Sequence, residues 1–312
     1  MLSSSSRKLA RKWPYTRHEE FVKTLRDAAA KWFETHGYEI HSRMPYCLAQ
    51  HCMWPNNIIC DEVVEYVCKK EISPHTWLHS GLSSQAMLFN LMGPLVTRED
   101  YEPLEKALAG IDIIWSGGKK TVACFEYQNQ KVFNEVQPTS IDLHLRGKGG
   151  DSLFIEAKLK EPDFGGCSKI KAGDCEGRSP CPSRLNSCYL HSIGIEYWQV
   201  VTDLGFDKAR LFTGEICPFA NYYQFFREVL FALHHKDGTF ILLHDERNPA
   251  FLRRSDDGTV QGGLWPFLYE SIPPRWQNRV KRLSIQTLVK EIQETHRHDD
   301  WIYEFKAKYG ME

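Results

Sequence analysis

The amino-acid sequence predicts an α/β fold in which amphipathic helices flank a central sheet. Two segments within Ser140–Lys160 alternate between apolar and polar residues on either side of the Gly-rich turn Gly147–Asp151, the pattern of a β-hairpin. Apolar residues recur at helical spacing elsewhere, most clearly in Phe219–Leu233. With 312 residues, 42% of them hydrophobic and 12% aromatic, the chain is long enough to bury a sizeable core.

Helices and strands are predicted in the following order. Four helices come first, at Thr16–Gly37, Ile58–Lys70, Gly81–Met92 and Tyr101–Ala109. The first strand of the sheet is Thr121–Tyr127, and the hairpin supplies the second and third strands. A loop rich in Gly, Pro, Ser and Cys leads to helices at Ile193–Leu204 and Phe219–Leu233, then to Gly238–Leu243 as the last strand and to a helix at Leu283–Thr295.

The hairpin brings two carboxylates and an ammonium to one place. Side chains alternate along a strand, so Asp142, Glu156 and Lys158 are predicted on the polar face, opposite Ile141, Leu143, Leu145, Leu153 and Ile155. Two carboxylates can hold a hard divalent cation, which activates a bound water and stabilises charge on phosphoryl oxygens. The alternative is an amphipathic hairpin whose solvent-facing side carries these charges without any chemistry.

P-T-S-I-D followed by I-E-A-K resembles the PD-(D/E)XK nuclease superfamily. Leu82–Leu95, Phe125–Tyr127 and Tyr222–Arg227 are similar to blocks of a mainly bacterial branch of restriction endonuclease-like nucleases within it. The resemblance implies an αβββαβ core with a mixed sheet in residues 81–312, preceded by a tail and helical extension in residues 1–80. The pattern departs from the commonest one, because two residues separate Pro138 from Ile141-Asp142.

The resemblance also implies a reaction, the Mg²⁺- or Mn²⁺-dependent hydrolysis of DNA phosphodiester bonds, in a defence or restriction setting. The metal would be held by Asp142, by Glu156 and by the backbone carbonyl of Ala157, while Lys158 would position the attacking water. Supporting catalytic residues would be Gln224 and Glu126. Gln85 is a further supporting candidate on the first core helix, although capping by the adjacent Ser83 or Ser84 explains this S-S-Q triplet equally well.

The net charge of −1 means that binding to DNA has to come from a local basic patch. Arg227 lies three residues after Gln224 on the same predicted helix and is expected to contact a phosphate. The densest basic stretch contains Arg275, Arg279 and Arg282 around Trp276, which suits binding to a phosphate backbone. A solvated helix face is the alternative for such a run, and Met1–Arg11 reads as a basic tail.

Ten cysteines without a secretory signal indicate a reducing, cytoplasmic setting, and no apolar run is long enough to cross a membrane. Cys167, Cys175, Cys181 and Cys188 lack a C-x-x-C knuckle, so we expect free thiols that do not all meet; a zinc or iron–sulfur site is possible but not favoured. Two other functions stay open: a catalytically inactive nucleic-acid-binding protein with a nuclease fold, and a protein whose cysteines bind a metal cluster. The oligomeric state is left open.

Overall fold

The computed structural model describes residues 18–180, 182–254 and 259–311. Its helices are α1 (Glu19–Thr35), α2 (Asp61–Lys69), α3 (Ser84–Thr97), α4 (Glu102–Ala109), α5 (Ser168–Ala172), α6 (Tyr189–Ser192), α7 (Tyr197–Asp203), α8 (Pro218–His234), α9 (Leu264–Tyr269), α10 (Ile285–Glu294) and α11 (Asp299–Tyr309). Its strands are β1 (Ile40–His41), β2 (Met44–Leu48), β3 (Val122–Gln128), β4 (Ser140–Arg146), β5 (Ser152–Lys158), β6 (Gly238–His244), β7 (Arg253–Arg254), β8 (Val260–Gly262) and β9 (Val280–Ser284). The basic tail expected at Met1–Arg11 lies outside the described residues.

A five-stranded mixed sheet in the order β3-β4-β5-β6-β9 organises the fold. The strands β3, β4 and β5 are antiparallel, as a Gly-rich turn between β4 and β5 allows, whereas β5, β6 and β9 are parallel. Parallel strands need a long crossover, and α8 lies within the connection from β5 to β6. The predicted restriction-endonuclease-like α/β fold, with a central mixed sheet flanked by helices, is therefore confirmed.

Apolar side chains cover both faces of the sheet. On one face Leu143 and Ile155 pack in a core shared with α1, α3, α10 and α11. On the other face Phe154 and Phe240 pack in a core shared with α7, α8 and α9. A strand that is covered on both sides has no solvent face, so polar side chains on β5 are buried with the rest of the strand.

The C-terminal part of the chain differs from the prediction. The sheet has a fifth strand, β9, which pairs in parallel with β6. Gly238–Leu243 was predicted as the last strand of the sheet, and this prediction is wrong. The sequence V-K-R-L-S reads as a charged run, but Val280 and Leu283 are buried while Lys281 and Arg282 are only half-buried. An unpredicted helix, α11, packs its buried residues Trp301, Ile302 and Phe305 into the same core as α1.

No helix in the three described ranges is both long and apolar enough to span a membrane.

Lys308 on α11 is fully buried and has no carboxylate partner in the described part of the chain, which is rare for a lysine. Its ammonium donates a hydrogen bond to the carbonyl of Asn57 and lies 4.2 Å from the centre of the Trp32 ring. Burial lowers the pKa of Lys308 well below its ordinary value. The folded state therefore binds this proton less tightly than the unfolded state, so the contribution of Lys308 to stability falls as the pH falls.

We expect Lys308→Met to raise the melting temperature, and to raise it more at pH 6 than at pH 9. Methionine fills a similar volume without a charge to desolvate, and the Asn57 carbonyl keeps a second donor, the side-chain amide of Asn90 at 3.0 Å. Differential scanning calorimetry at the two pH values tests this. A lower melting temperature at both pH values would show that the contact between the Lys308 ammonium and the Trp32 indole stabilises the protein by more than the burial of the charge costs.

Candidate active site

The ladder between β3 and β4 is interrupted at Glu126 and Asp142. Regular pairs flank this position, Phe125 with Leu143 and Tyr127 with Ile141. Glu126 has a left-handed backbone with φ of 52°, which is uncommon for a residue other than glycine. The interruption breaks the alternation of side chains along β4.

Ile141 therefore does not share a face with Leu143 and Leu145, as the sequence predicted. It packs in the core on the α8 side of the sheet, whereas the two leucines pack in the core on the α3 side. The side chain of Asp142 turns towards the neighbouring strand, where its Oδ2 accepts a hydrogen bond of 2.8 Å from the backbone N–H of Ala157. The Asp142 carboxylate thus accepts a hydrogen bond from a backbone N–H group within the sheet.

Glu156, Lys158 and Gln224 form a closed triangle of hydrogen bonds at the end of β5. The Nζ of Lys158 donates to Glu156 Oε1 at 2.7 Å and to Gln224 Oε1 at 2.8 Å. The Nε2 of Gln224 donates to the same Glu156 oxygen at 2.7 Å. Each member is thus held by the other two, although Gln224 lies on α8, far along the chain from β5.

The start of α8 is joined to the chain that leaves β5. The backbone N–H groups of Tyr223 and Gln224 donate to the carbonyls of Gly165 and Phe164, at 3.0 and 3.2 Å. The helix is also kinked at Tyr222, whose φ is −134°. These contacts position Gln224 over the end of β5.

Glu228, which sequence reasoning missed, is a third buried carboxyl beside Glu156 and Lys158. Its exposed fraction is 2%, and it lies one helical turn after Gln224, so both side chains lie on one side of α8. The i,i+4 spacing of Gln and Glu was the signal that would have found it. Arg227, at i+3 from the same glutamine, was the residue expected on this side of the helix.

The carboxyls of this cluster resist ionisation. Burial raises the pKa of Asp142 to about 7. Burial and the neighbouring Asp142 carboxylate raise the pKa of Glu156, and burial with the Glu156 carboxylate raises that of Glu228 well above its ordinary value. Burial alone would lower the pKa of Lys158, but the surrounding carboxylates, Glu156 first, raise it instead. Full ionisation would therefore leave an excess of negative charge here, with a single ammonium to balance it.

Lys158 is more deeply buried than its sequence pattern suggested. Its exposed fraction is 6% and that of Glu156 is 1%. The polar face predicted for β5 is therefore not a solvent-facing or open cleft-lining surface, because α8 covers it. Removing the Lys158 ammonium would leave the Glu156 carboxyl buried without its cation, so such a change also acts on stability.

Glu126 and Gln85 lie together beside this cluster. Glu126 accepts hydrogen bonds from Gln85 at 2.7 Å and from the Ser140 hydroxyl at 3.0 Å, and His75 lies 3.4 Å away. Burial would raise the pKa of Glu126, but the contact with His75 and the two hydrogen bonds lower it overall. The neighbouring Ser83 caps α3 by accepting from the N–H of Ala86, so capping belongs to Ser83 and leaves Gln85 to Glu126.

A cleft of about 360 Å³ opens next to these residues. His75, the partner of Glu126, lines it, and so do Lys160 and Glu161, which follow β5 directly. Its basic side chains also include Arg26 from α1. The ring of Trp77 lines it too and is 58% exposed. The cleft therefore combines positive charge with an exposed aromatic surface at the edge of the carboxyl cluster.

The predicted DNA-binding arginines do not join this cluster. Arg279 donates to the carbonyls of Gly238 and His235, at the beginning of β6, whereas Lys158 pairs with the last residue of that strand. Since a strand of seven residues spans about 20 Å, Arg279 lies at the other end of the sheet. Arg275 is exposed and contacts Trp276, and Arg282 is half-buried on the edge strand β9.

Arg227 is half-buried and forms an ion pair with a buried carboxylate. Its Nε donates to Glu135 at 2.8 Å, and its Nη2 donates to the Gln137 carbonyl at 3.2 Å. Glu135 also accepts from the hydroxyl of Tyr197 and from the backbone and hydroxyl of Thr139. The guanidinium that was expected to contact a phosphate thus neutralises a buried carboxylate.

Among the described residues, no group of three or more His, Cys, Asp or Glu side chains has the arrangement that holds a metal ion. Cys167, Cys175 and Cys188 border one cavity together with Cys217, whereas Cys181 lies outside the described residues. All nine described cysteines are free thiols.

One family model matches the chain over residues 26–310; it describes restriction endonucleases associating with ARP. The match covers most of the chain, including every residue of the triangle and of the Glu126 network. No curated protein and no solved structure matches the chain.

We expect Arg227→Ala to destabilise the protein by about 3–5 kcal/mol, since it leaves Glu135 buried without its cation. The double variant Glu135→Gln with Arg227→Met should recover part of that loss. Thermal unfolding of both variants tests this, with Arg275→Ala as an exposed arginine control whose effect should stay within about 0.5 kcal/mol. Normal stability of Arg227→Ala, combined with weakened DNA binding, would return Arg227 to the phosphate-binding role.

Proposed function

The chain belongs to the family of restriction endonucleases associating with ARP, and from this membership we propose that it is a Mg²⁺- or Mn²⁺-dependent nuclease that hydrolyses phosphodiester bonds in DNA. One observation carries the proposal: Asp142, Glu156 and Lys158 meet at the end of β5 with Gln224 and Glu228 from α8. Acidic groups whose pKa is shifted by burial and by each other are typical of catalytic sites.

The residues present fit a hard divalent cation. Glu156 Oε2 and Glu228 Oε2 are buried oxygens without a hydrogen-bond partner among the described residues. Carboxylate oxygens are the ligands that Mg²⁺ and Mn²⁺ prefer, and a cation would offset the excess negative charge of the cluster. We propose that Asp142 and Glu156 hold the metal, with the backbone carbonyl of Ala157 as a third ligand. When bound, such a metal lowers the pKa of a coordinated water and stabilises charge on the phosphate.

The side chains around the cation have distinct parts in the proposed reaction. Lys158 would orient the attacking water and balance the charge that develops on the phosphate, because its ammonium is already fixed by Glu156 and Gln224. Gln224 would hold the side chains of Lys158 and Glu156 in fixed positions relative to each other. Glu126 would act on Asp142 indirectly, since its contacts with Gln85 and Ser140 hold the interrupted part of the sheet in place.

The cleft beside the cluster is the proposed path of the DNA strand. Arg26 and Lys160 supply positive charge there, and Trp77 offers a ring on which a base can stack. Arg275 and Arg279 are too remote to contact the same phosphate group, and if they bind DNA, they do so at a second surface. Arg282 is level with Glu156 in the sheet, two strands away, at a separation of about 10 Å. The cytoplasmic setting expected from the cysteine content stays a prediction.

We expect Lys158→Met to lower the rate of plasmid cleavage by at least about 100-fold in Mg²⁺ or Mn²⁺. Methionine keeps the volume of the buried chain but removes the ammonium. Nicking of supercoiled DNA, with and without metal, measures the rate, and melting temperature separates loss of chemistry from loss of folding. Lys148→Met, an exposed lysine in the turn at the other end of the hairpin, is the matched control.

Two outcomes would count against the proposal. Cleavage by Lys158→Met at the parent rate would show that Lys158 has no part in the reaction and that β5 has a structural role only. Parent protein that binds DNA and cuts neither plasmid, linear nor single-stranded substrates in either metal would favour a catalytically inactive binding protein.

We expect Asp142→Asn to raise the melting temperature in metal-free buffer while abolishing cleavage. The pKa of Asp142 in the folded protein is about 7, above its ordinary value of 3.8, so the folded state holds this proton more tightly than the unfolded chain does. The stability of the parent should therefore fall as the pH rises from about 4 to about 7, and the gain for Asp142→Asn should reach on the order of 3 kcal/mol above pH 7.

Thermal unfolding in chelator at pH 5 and pH 8 tests this expectation. Adding Mg²⁺ should stabilise the parent and leave Asp142→Asn unchanged. Glu126→Gln is the opposite control, because its carboxyl has a lowered pKa and its neutralisation should destabilise the protein. An Asp142→Asn protein that melts below the parent at pH 8 in chelator would contradict the charge excess described for this site.

A further inference from the structure

Four cysteines border one internal cavity between the loop after β5 and the start of α8. Cys167 and Cys217 are buried, and Cys175 and Cys188 are half-buried. Aromatic side chains surround them, those of Tyr189, Tyr197, Trp198 and Phe219. Three of these cysteines belong to the cysteine-rich loop described from the sequence. The fourth, Cys217, lies immediately before α8, twenty-nine residues after Cys188. Their convergence is therefore a result of the tertiary structure.

Backbone hydrogen bonds fasten the cysteine-bearing segments to one another. The N–H of Cys217 donates to the Gly177 carbonyl at 2.9 Å, and the N–H of Cys167 donates to the Phe219 carbonyl at 3.0 Å. Arg178 and Ile216 form an isolated antiparallel bridge between the same two segments. The four thiols are consequently presented by a braced loop and a helix start.

A backbone N–H group is directed at one of these sulfurs: Gly177 donates to Cys175 Sγ at 3.4 Å, across a C-E-G turn. Backbone hydrogen bonds to sulfur are a feature of thiolate–metal sites, where they help to tune the centre.

The cavity is otherwise lined mainly by apolar side chains, among which an unpaired thiolate would be costly. The side chain of Lys169 borders the cavity, but it also contacts the ring of Tyr189 and pairs with Asp174. A bound cation would offset the charge of the thiolates in these surroundings.

We propose that Cys167, Cys175, Cys188 and Cys217 bind a soft metal centre through their thiolates, either zinc or an iron–sulfur cluster. Each thiol releases its proton as its sulfur–metal bond forms. The described residues hold no group already arranged around a single ion, so metal binding would require the sulfurs to move inward. Four ligands complete a set for either centre without Cys181.

Such a centre would act as a structural staple. It would connect the loop that leaves the carboxyl cluster to the first residues of α8, the helix that carries Gln224 and Glu228. The staple stands independently of the proposed nuclease activity, because it rests on thiols and backbone donors that do not belong to the carboxyl cluster.

Metal analysis of the full-length protein tests the proposal directly. We expect protein produced in medium supplied with iron and zinc, and purified without oxygen or chelator, to retain metal in proportion to chain. Visible absorption with acid-labile sulfide would identify an iron–sulfur cluster, whereas stoichiometric zinc without colour would identify a single zinc. Both results support a thiolate centre. Protein that retains neither metal after purification, and binds neither zinc nor reconstituted iron and sulfide, would overturn it.

Single substitutions then locate the metal. Cys217→Ser and Cys167→Ser should each lose most of the bound metal and melt at a lower temperature than the metal-loaded parent. Cys60→Ser, a buried cysteine in the other core, and Cys124→Ser, an exposed one on β3, should retain it. Full metal content in a folded Cys217→Ser protein would place the metal elsewhere. Should Cys217→Ser fail to fold, the metal content of Cys175→Ser, at a half-buried position, decides the same question.

Discussion

The charge cluster at the end of β5 is the constraint on which the rest of the structure depends. Glu156, Glu228 and Lys158 are removed from water beside the half-buried Asp142, and a single ammonium faces three carboxyls. The hydrogen bonds that Gln224 makes to both Lys158 and Glu156 offset part of the cost of burying these groups. The placement of α8 against β5 is therefore an electrostatic requirement as well as a packing one.

The two elements flanking the cluster meet that requirement in different ways. On the β3 side, the backbone departs from regular pairing at Glu126, and contacts from Gln85 and Ser140 hold this uncommon conformation. A backbone conformation of this kind is retained only where the surroundings over-determine it. On the other side, α8 is kinked at Tyr222 and bonded to the segment that leaves β5. Both irregularities place polar atoms against a sheet whose two faces are largely covered by apolar side chains.

Helix α8 connects three features of the molecule. Its first turn adjoins the cysteine-bordered cavity, its middle supplies Gln224 and Glu228 to the charge cluster, and Arg227 between them neutralises the buried Glu135. The remaining face is apolar and fills the second core with Phe225, Phe226, Val229 and Leu230. A helix that makes so many buried contacts has little freedom to shift, which suits a site whose chemistry depends on fixed positions.

Sequence periodicity by itself determined the α/β class, most of the helices, the hairpin and the proximity of Asp142, Glu156 and Lys158. These features follow from local rules, since alternation assigns strand faces and a turn of suitable composition brings neighbouring strands together. Glu228 was in principle readable as well, from its i,i+4 relation to Gln224.

Only the tertiary structure decided the rest. The face of Ile141 depends on an interruption in the neighbouring strand, and the partner of Arg227 is a glutamate ninety-two residues away. The burial of Lys158 depends on the position of α8. The strand β9 depends on pairing with the free edge of β6. Cys217 joins the other cysteines through hydrogen bonds to a distant loop. In each case the deciding contact joins residues that are far apart along the chain, whereas periodicity reports only how a residue is oriented relative to its immediate neighbours.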